Sequence, residues 1–264
     1  MNNKFNFKKS LGQNFLKDNN IIHNIVDSAD IDKDTLVIEI GPGGGAITSK
    51  LVPLAGFTIL YETDGRLESH LNDLLEQYDN YKLIIGDFLK TSLKDDLSKY
   101  NYSKVYVVAN LPYYITTPII MKFIDDNVLP DKLVIMVQKE VASRLSSSIN
   151  SKDYGSLTVF LNYYYDISKL FDVSKNCFVP KPNVDSAVIC MKLKKKRRKI
   201  KDIELFKKLV KDSFRYKRKN LRNNLSNYDL KKINDVLSKY GYDLTCRAEN
   251  LSLDVFVDIV NELS

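Results

Sequence analysis

The chain has 264 residues, 44% of them hydrophobic, with a formal net charge of +7. That length holds one large domain or a large and a small one, and the apolar fraction is ordinary for a soluble globular protein. No run is apolar and long enough for a transmembrane helix, the polar, basic Met1–Lys9 stretch lacks the apolar core of a secretory signal, and the scattered Cys177, Cys190, Cys246, His23 and His70 suit neither a disulfide framework nor a metal site, as expected of a cytoplasmic protein.

In chain order, Thr35–Ile40 predicts a strand, followed by the loop Gly41-Pro42-Gly43-Gly44-Gly45 and a helix over 46–54. Phe57–Glu62 predicts the second strand, and Leu67, Leu71, Leu74 and Leu75 give a helix over 66–78. Tyr81–Ile85 is the third strand, closed by Gly86-Asp87. Lys104–Ala109 is the fourth and runs into Asn110-Leu111-Pro112-Tyr113. A helix holds Met121–Ile124, and Lys132–Val137 is the fifth strand. Tyr165–Phe171 and Asp185–Leu193 are two late strands that suit an antiparallel edge. This alternation predicts an α/β, doubly wound, mostly parallel sheet of seven strands. Beyond the basic run Lys192–Lys201 the pattern is helical only, over 203–215, 230–240 and 253–263. We expect an α/β domain over 1–198 and a small all-helical domain over 199–264.

In open parallel sheets a ligand binds at the carboxyl ends of the strands, where the strand order reverses. Four groups stand at such ends. The glycine loop, with Gly41 and Gly43, lets a ligand approach bare backbone. Glu62, about twenty residues on, suits the two hydroxyls of a ribose. Asp64 competes for that role, but Glu62 ends the strand. Loop and carboxylate together fit NAD as well as S-adenosylmethionine. Asp87 suits the exocyclic amine of an adenine ring, or equally the cap of a turn.

Asn110-Leu111-Pro112-Tyr113 favours a methyl donor over a hydride carrier. The amine of adenine is a weak nucleophile because its lone pair is delocalised into the ring. Two acceptors, the Asn110 side-chain oxygen and the Leu111 carbonyl, would bind its two hydrogens and turn the lone pair outward. What remains is alignment, a proximity effect. Tyr113 offers a ring for stacking the base, although Tyr113 and Tyr114 also suit a core. Phe178, in the stiff stretch Cys177-Phe178-Val179-Pro180-Lys181-Pro182, suits the other face of the base or plain packing. Two basic stretches, Lys192–Lys201 (with Lys194, Lys195, Lys196, Arg197 and Arg198) and Arg215–Arg222 (with Arg218, Lys219 and Arg222), suit phosphate contacts; a solvated linker is the alternative.

The chain resembles the rRNA adenine N6-dimethyltransferase family along nearly its whole length. The resemblance is carried by Leu11-Gly12-Gln13-Asn14-Phe15-Leu16, Glu39-Ile40-Gly41-Pro42-Gly43, Gly86-Asp87, Asn110-Leu111-Pro112-Tyr113 and Thr117-Pro118. It continues through Val137-Gln138-Lys139-Glu140-Val141-Ala142, Phe178–Ala187, Arg218–Asn223 and Arg247-Ala248-Glu249. The resemblance implies a Rossmann-like class I methyltransferase that uses S-adenosylmethionine and needs no metal. It implies cofactor contacts from Gln13, Asn14, Leu16, Gly41, Gly43, Glu62, Asp87 and Asn110, catalysis by Asn110 to Tyr113 with Phe178, and rRNA contact at Arg247 besides the basic stretches. The implied substrate is a pair of adjacent adenosines in a hairpin near the 3′ end of 16S rRNA in the 30S subunit, each dimethylated by a monomeric enzyme. Thr63 and Gly65 depart from the commoner neighbours of Glu62, and the basic tract is unusually long. An Erm-type 23S rRNA methyltransferase and a non-catalytic ribosome assembly factor are the competing readings.

Overall fold

The computed structural model describes residues 13–264; Leu11, Gly12 and the Met1–Lys9 stretch lie outside the described residues. The chain divides into two compact units, one of 13–142 with 168–193 and one of 143–167 with 194–264.

The elements of the first half are β1 (Phe15–Leu16), α1 (Asn19–Ala29), β2 (Thr35–Ile40), α2 (Thr48–Leu51), β3 (Phe57–Glu62), α3 (Glu68–Leu74), β4 (Tyr81–Ile85), α4 (Leu93–Leu97), β5 (Lys104–Asn110), α5 (Thr116–Asp125), β6 (Lys132–Gln138) and α6 (Lys139–Leu145). Then come α7 (Ser156–Tyr164), β7 (Tyr165–Val173), β8 (Phe178–Val179) and β9 (Ser186–Leu193). Seven strands form one sheet in the order β4-β3-β2-β5-β6-β9-β7, as the alternation of strands and helices predicts. β2 to β6 run parallel, and β9 pairs antiparallel with β6. The late antiparallel edge is therefore present. All six residues of β2 are buried, because a central parallel strand is covered on both faces.

β2 lies between β3 and β5, so the chain leaves it on one side for β3 and β4 and returns to its other side as β5. The carboxyl ends of β2 and β5 thus flank the switch point. On one face α1, capped by Asp18 through its Ile21 and Asn20 amides, buries Ile22, Ile25, Val26 and Ala29. These join Leu16, Val108, Val134 and Phe178 in one core. β1 and β8 form a separate antiparallel ribbon, Phe15 opposite Val179 and Leu16 opposite Phe178.

The second unit is helical: α7, α8 (Ile203–Ser213), α9 (Leu221–Asn224), α10 (Leu230–Lys239) and α11 (Leu253–Leu263). Asp202 and Asp229 cap α8 and α10. Phe206 and Phe256 are fully buried, with Phe160 and Phe214 beside them. The division falls at 193/194, where the sequence pattern suggests 198/199, and this unit also takes in 143–167. The aromatic ring of Phe160 on α7, 6.2 Å from that of Phe206 on α8, is the physical reason.

Candidate active site

The loops that leave β2, β4 and β5 begin while still hydrogen-bonded to the sheet. Gly41 N–H donates to Tyr61 O (2.8 Å), Gly86 N–H to Glu62 O (2.8 Å) and Leu111 N–H to Met136 O (3.1 Å). The ladder thus fixes the first residue of each loop. Together with Gln13–Leu16 these strand ends wall a cavity of about 230 Å³. Asn14, Leu16, Gly41, Gly43, Glu62, Asp87 and Asn110 all line it, as do Leu111, Pro112 and Tyr113. Gly41 (φ +72°) and Gly43 (φ +57°) take left-handed backbone, and a Cβ on Gly43 would meet the Phe15 ring at 2.9 Å. The glycine loop is therefore bare where Phe15 lies on it.

Glu62 is 6% exposed. Its Oε2 accepts from Gly43 N–H (3.0 Å) and its Oε1 from Asp64 N–H (2.8 Å). Burial raises its pKa against the pull of those two amides. Asp64, the competitor, does not line the cavity. Its carboxylate accepts from Arg66 Nε (2.8 Å) and Nη2 (2.6 Å) and from Gln13 Nε2 (2.9 Å), and the Arg66 guanidinium holds its pKa far below the usual range. Gln13 lines the cavity while directing its side-chain donor to Asp64.

Glu39 is a site residue that the sequence pattern did not single out. It is 2% exposed and lines the cavity from the end of β2. Burial pushes its pKa up to about 8, with Thr48 pulling it back in part, yet neither Glu39 Oε2 nor Thr48 Oγ1 meets a partner in good hydrogen-bond geometry among the described residues. The signal was present: one charge in an otherwise apolar central strand. Thr63, Phe88 and Tyr114 also line the cavity, and Tyr114 is 60% exposed.

Asn110 Nδ2 donates to Asn14 O (3.1 Å). A backbone carbonyl only accepts, so the amide nitrogen must face it and the oxygen must turn the other way. No hydrogen bond is made to Asn110 Oδ1 or to Leu111 O within the described residues. Tyr113 lines the cavity with its hydroxyl 2.6 Å from the Oγ of the buried Ser186, and burial raises its pKa. Its ring is thereby held from the far end. Asp87 does cap a turn, accepting from Leu89 N–H through Oδ1 (3.0 Å), and it lines the cavity as well.

Phe178 is the exception among the residues suggested for catalysis. Its ring is 2% exposed, packs in the core with Leu16 and Ile22, and does not line the cavity. Pairing of β8 with β1 turns it inward, so the structure gives it the packing role that the sequence left open.

The residues suggested for RNA contact from Lys194 onward lie in the second unit. Several are already engaged. Lys194 donates to Asn162 O (2.7 Å), the Arg197 guanidinium lies 5.3 Å from the Tyr164 ring, and Arg198 pairs with Asp254 and Asp258. Arg247 pairs loosely with Glu249 (3.7 Å). Lys195 and Lys196 are exposed. Lys219 and Arg215 flank the ring of the exposed Tyr216, and Arg218 and Arg222 are exposed nearby in sequence. Among the described residues no group of His, Cys, Asp or Glu is arranged to hold a metal, and no helix is long and apolar enough to cross a membrane.

The family description "Ribosomal RNA adenine dimethylase" matches residues 4–264. A Staphylococcus aureus (strain MRSA252) protein named ribosomal RNA small subunit methyltransferase A is 44% identical, over 98% of this chain and 90% of its own. The crystal structure of a dimethyladenosine transferase from Plasmodium falciparum superposes with a TM-score of 0.78 at 27% identity, over 93% of this chain and 95% of its own. The 23S rRNA methyltransferase ErmE shares the fold at a TM-score of 0.74 and 23% identity, over 95% of this chain and 99% of its own.

Proposed function

The chain belongs to the ribosomal RNA adenine dimethylase family, and from that premise we propose that it transfers methyl groups from S-adenosylmethionine to the N6 amines of two adjacent adenosines in a hairpin near the 3′ end of 16S rRNA, within the 30S particle. The observation that carries this reading is the orientation of the Asn110 amide. With its nitrogen committed to Asn14 O, the side chain offers an oxygen, next to the Leu111 carbonyl, to the two hydrogens of an amine.

The residues present fit the cofactor. Glu62 would take the ribose hydroxyls and Asp87 the adenine amine. The orphaned Oε2 of Glu39, buried in the cavity wall, suits a donor such as the cofactor's ammonium group. When bound, the cofactor supplies an electrophilic methyl group on a cationic sulfur. The chain's own part is positioning. Asn110 Oδ1 and Leu111 O bind the amine hydrogens and favour its pyramidal form, which concentrates the lone pair on nitrogen. Tyr113, anchored by Ser186, stacks on the base, a contact worth roughly 1–3 kcal/mol. No strong base is needed, because the proton is acidic once nitrogen is alkylated. A second methylation requires the monomethylated amine to turn or leave and rebind.

The helical unit and its basic side chains would grip rRNA. We read the enzyme as a monomer, and the substrate implies a cytoplasmic enzyme. Higher identity to the small-subunit enzyme (44%) than to ErmE (23%) supports the small-subunit substrate. The test is labelled methyl transfer onto 30S particles that lack the modification, beside protein-free 23S rRNA. Label should appear as N6,N6-dimethyladenosine in 16S rRNA only, and Asn110→Ala should abolish it while leaving thermal stability and most RNA affinity intact. Label in 23S rRNA, or near-normal turnover by Asn110→Ala, would overturn the reading.

A further inference from the structure

We propose that Asp64 and Arg66 are positioning residues for the cofactor: the pair seats the Gln13–Leu16 segment on the cavity and aims the carboxylate of Glu62. This rests on reading the cavity as an S-adenosylmethionine site, and it assigns a role to two residues outside the cavity wall.

Asp64 is 3% exposed and does not line the ligand space. A buried carboxylate needs a counter-charge and filled acceptor sites, or its burial costs several kcal/mol, on the order given for buried ions. Arg66 supplies the charge through a forked contact, Nε to Oδ1 at 2.8 Å and Nη2 to Oδ2 at 2.6 Å. Asp64 also accepts from the Arg66 N–H (3.3 Å), capping the turn Gly65–Leu67 and so fixing where Arg66 emerges. The remaining capacity of Oδ2 is taken by Gln13 Nε2 at 2.9 Å, a charge-assisted bond across 51 residues of sequence. In the other direction the Asp64 backbone N–H holds Glu62 Oε1 at 2.8 Å. One residue therefore touches both the segment over the cavity and the carboxylate inside it.

Further along, the segment is anchored by other means. Asn14 O is held by Asn110 Nδ2, Phe15 and Leu16 pair with β8, and the Phe15 ring rests on Gly43. Gln13 marks the end of this seat nearest the N-terminus, among the described residues. Its clasp to Asp64 fixes Gln13, and with it the start of the described segment.

The test uses the full-length protein as wild type, Arg66→Met, Gln13→Ala and the double variant. The dissociation constant for S-adenosylhomocysteine is measured by calorimetry, and amide exchange at residues 15 and 16 is measured without ligand. Each single change should weaken binding by about tenfold to a hundredfold, the worth of one hydrogen bond to a charged group. The double variant should be little weaker than the worse single one, since Arg66 and Gln13 act through the same Asp64 carboxylate. Amide exchange at Phe15 and Leu16 should quicken in all three, and Arg66→Met should raise KM for the cofactor with kcat at saturation falling less than twofold. Additive losses, or unchanged affinity with unchanged exchange, would overturn the proposal. If the wild type fails to bind S-adenosylhomocysteine, the cofactor reading falls, while exchange in the ligand-free protein still decides whether the clasp seats the segment.

Discussion

At the scale of single residues, the chemistry depends on which end of a side chain the protein uses for itself. Asn110 has a donor and an acceptor on one flat head. The donor is consumed by Asn14 O, and the acceptor is left open, on our proposal for the substrate amine. A carboxylate here would face that carbonyl with no proton to offer, which is a physical reason for asparagine over aspartate. This much was legible in the sequence, because a polar amide, a proline and an aromatic directly after an apolar run mark a strand-end site. Glu39 was legible only as a charge in an apolar strand; its orphaned oxygen and its place in the cavity wall required the fold. Its titration carries a prediction. The folded pKa of about 8 lies above the ordinary carboxylate value of 4.5. The group thus costs nothing below that value, and its cost grows as pH rises toward the folded value. Glu39→Gln should remove this component. In melting experiments across that window the variant should gain on the wild type as pH rises, and a constant difference between them would show that Glu39 is solvated.

At the scale of elements, the strands were the easiest to read. Central parallel strands are near-continuous apolar runs, and Thr35–Ile40 and Phe57–Glu62 appear with those bounds. Helices were harder. α1 is built of asparagine, isoleucine, valine and aspartate, weak helix formers, so its helical spacing of buried residues is masked by low propensity. α2 is four residues long where 46–54 suggested more, since Pro53 interrupts the hydrogen-bonding pattern. The β1–β8 ribbon was not legible, since two-residue strands carry no period. Its effect is to turn Phe178 into the core. Phe178→Ala should therefore cost about 3–5 kcal/mol of stability in urea denaturation, the usual range for a buried phenylalanine. A variant of normal stability that fails only in RNA methylation would instead place the ring against the base.

At the scale of the whole molecule, positive charge is divided between side chains that hold the helical unit together and side chains left exposed. Composition showed the basic tract but not this division. Arg198 is committed to Asp254 and Asp258 of α11, and Lys194 to the end of α7, whereas Lys195 and Lys196 are exposed. Neutralising Lys195 and Lys196 together should weaken rRNA binding and flatten the slope of log K against log salt, by roughly 0.7–0.9 for each phosphate that is no longer neutralised. An unchanged slope would confine the tract to an architectural role. The compact helical unit begins at Lys194, ahead of the 199 that the sequence pattern suggests, for a related reason. A run of lysines looks like a linker, but its residues knit α7 and α11 into one body, and only interactions between residues distant in sequence reveal that.

The strand ends have a further consequence. Gly41, Gly86 and Leu111 are each stitched to a neighbouring strand before their loops diverge. A slip of one strand would therefore drag Glu62, Asp87 and Asn110, the groups we propose for ribose, adenine and target amine, out of alignment together. Divergence toward another nucleic-acid substrate is most accessible beyond those stitches, at Pro112 to Ile115, where side chains can be exchanged without resetting the frame.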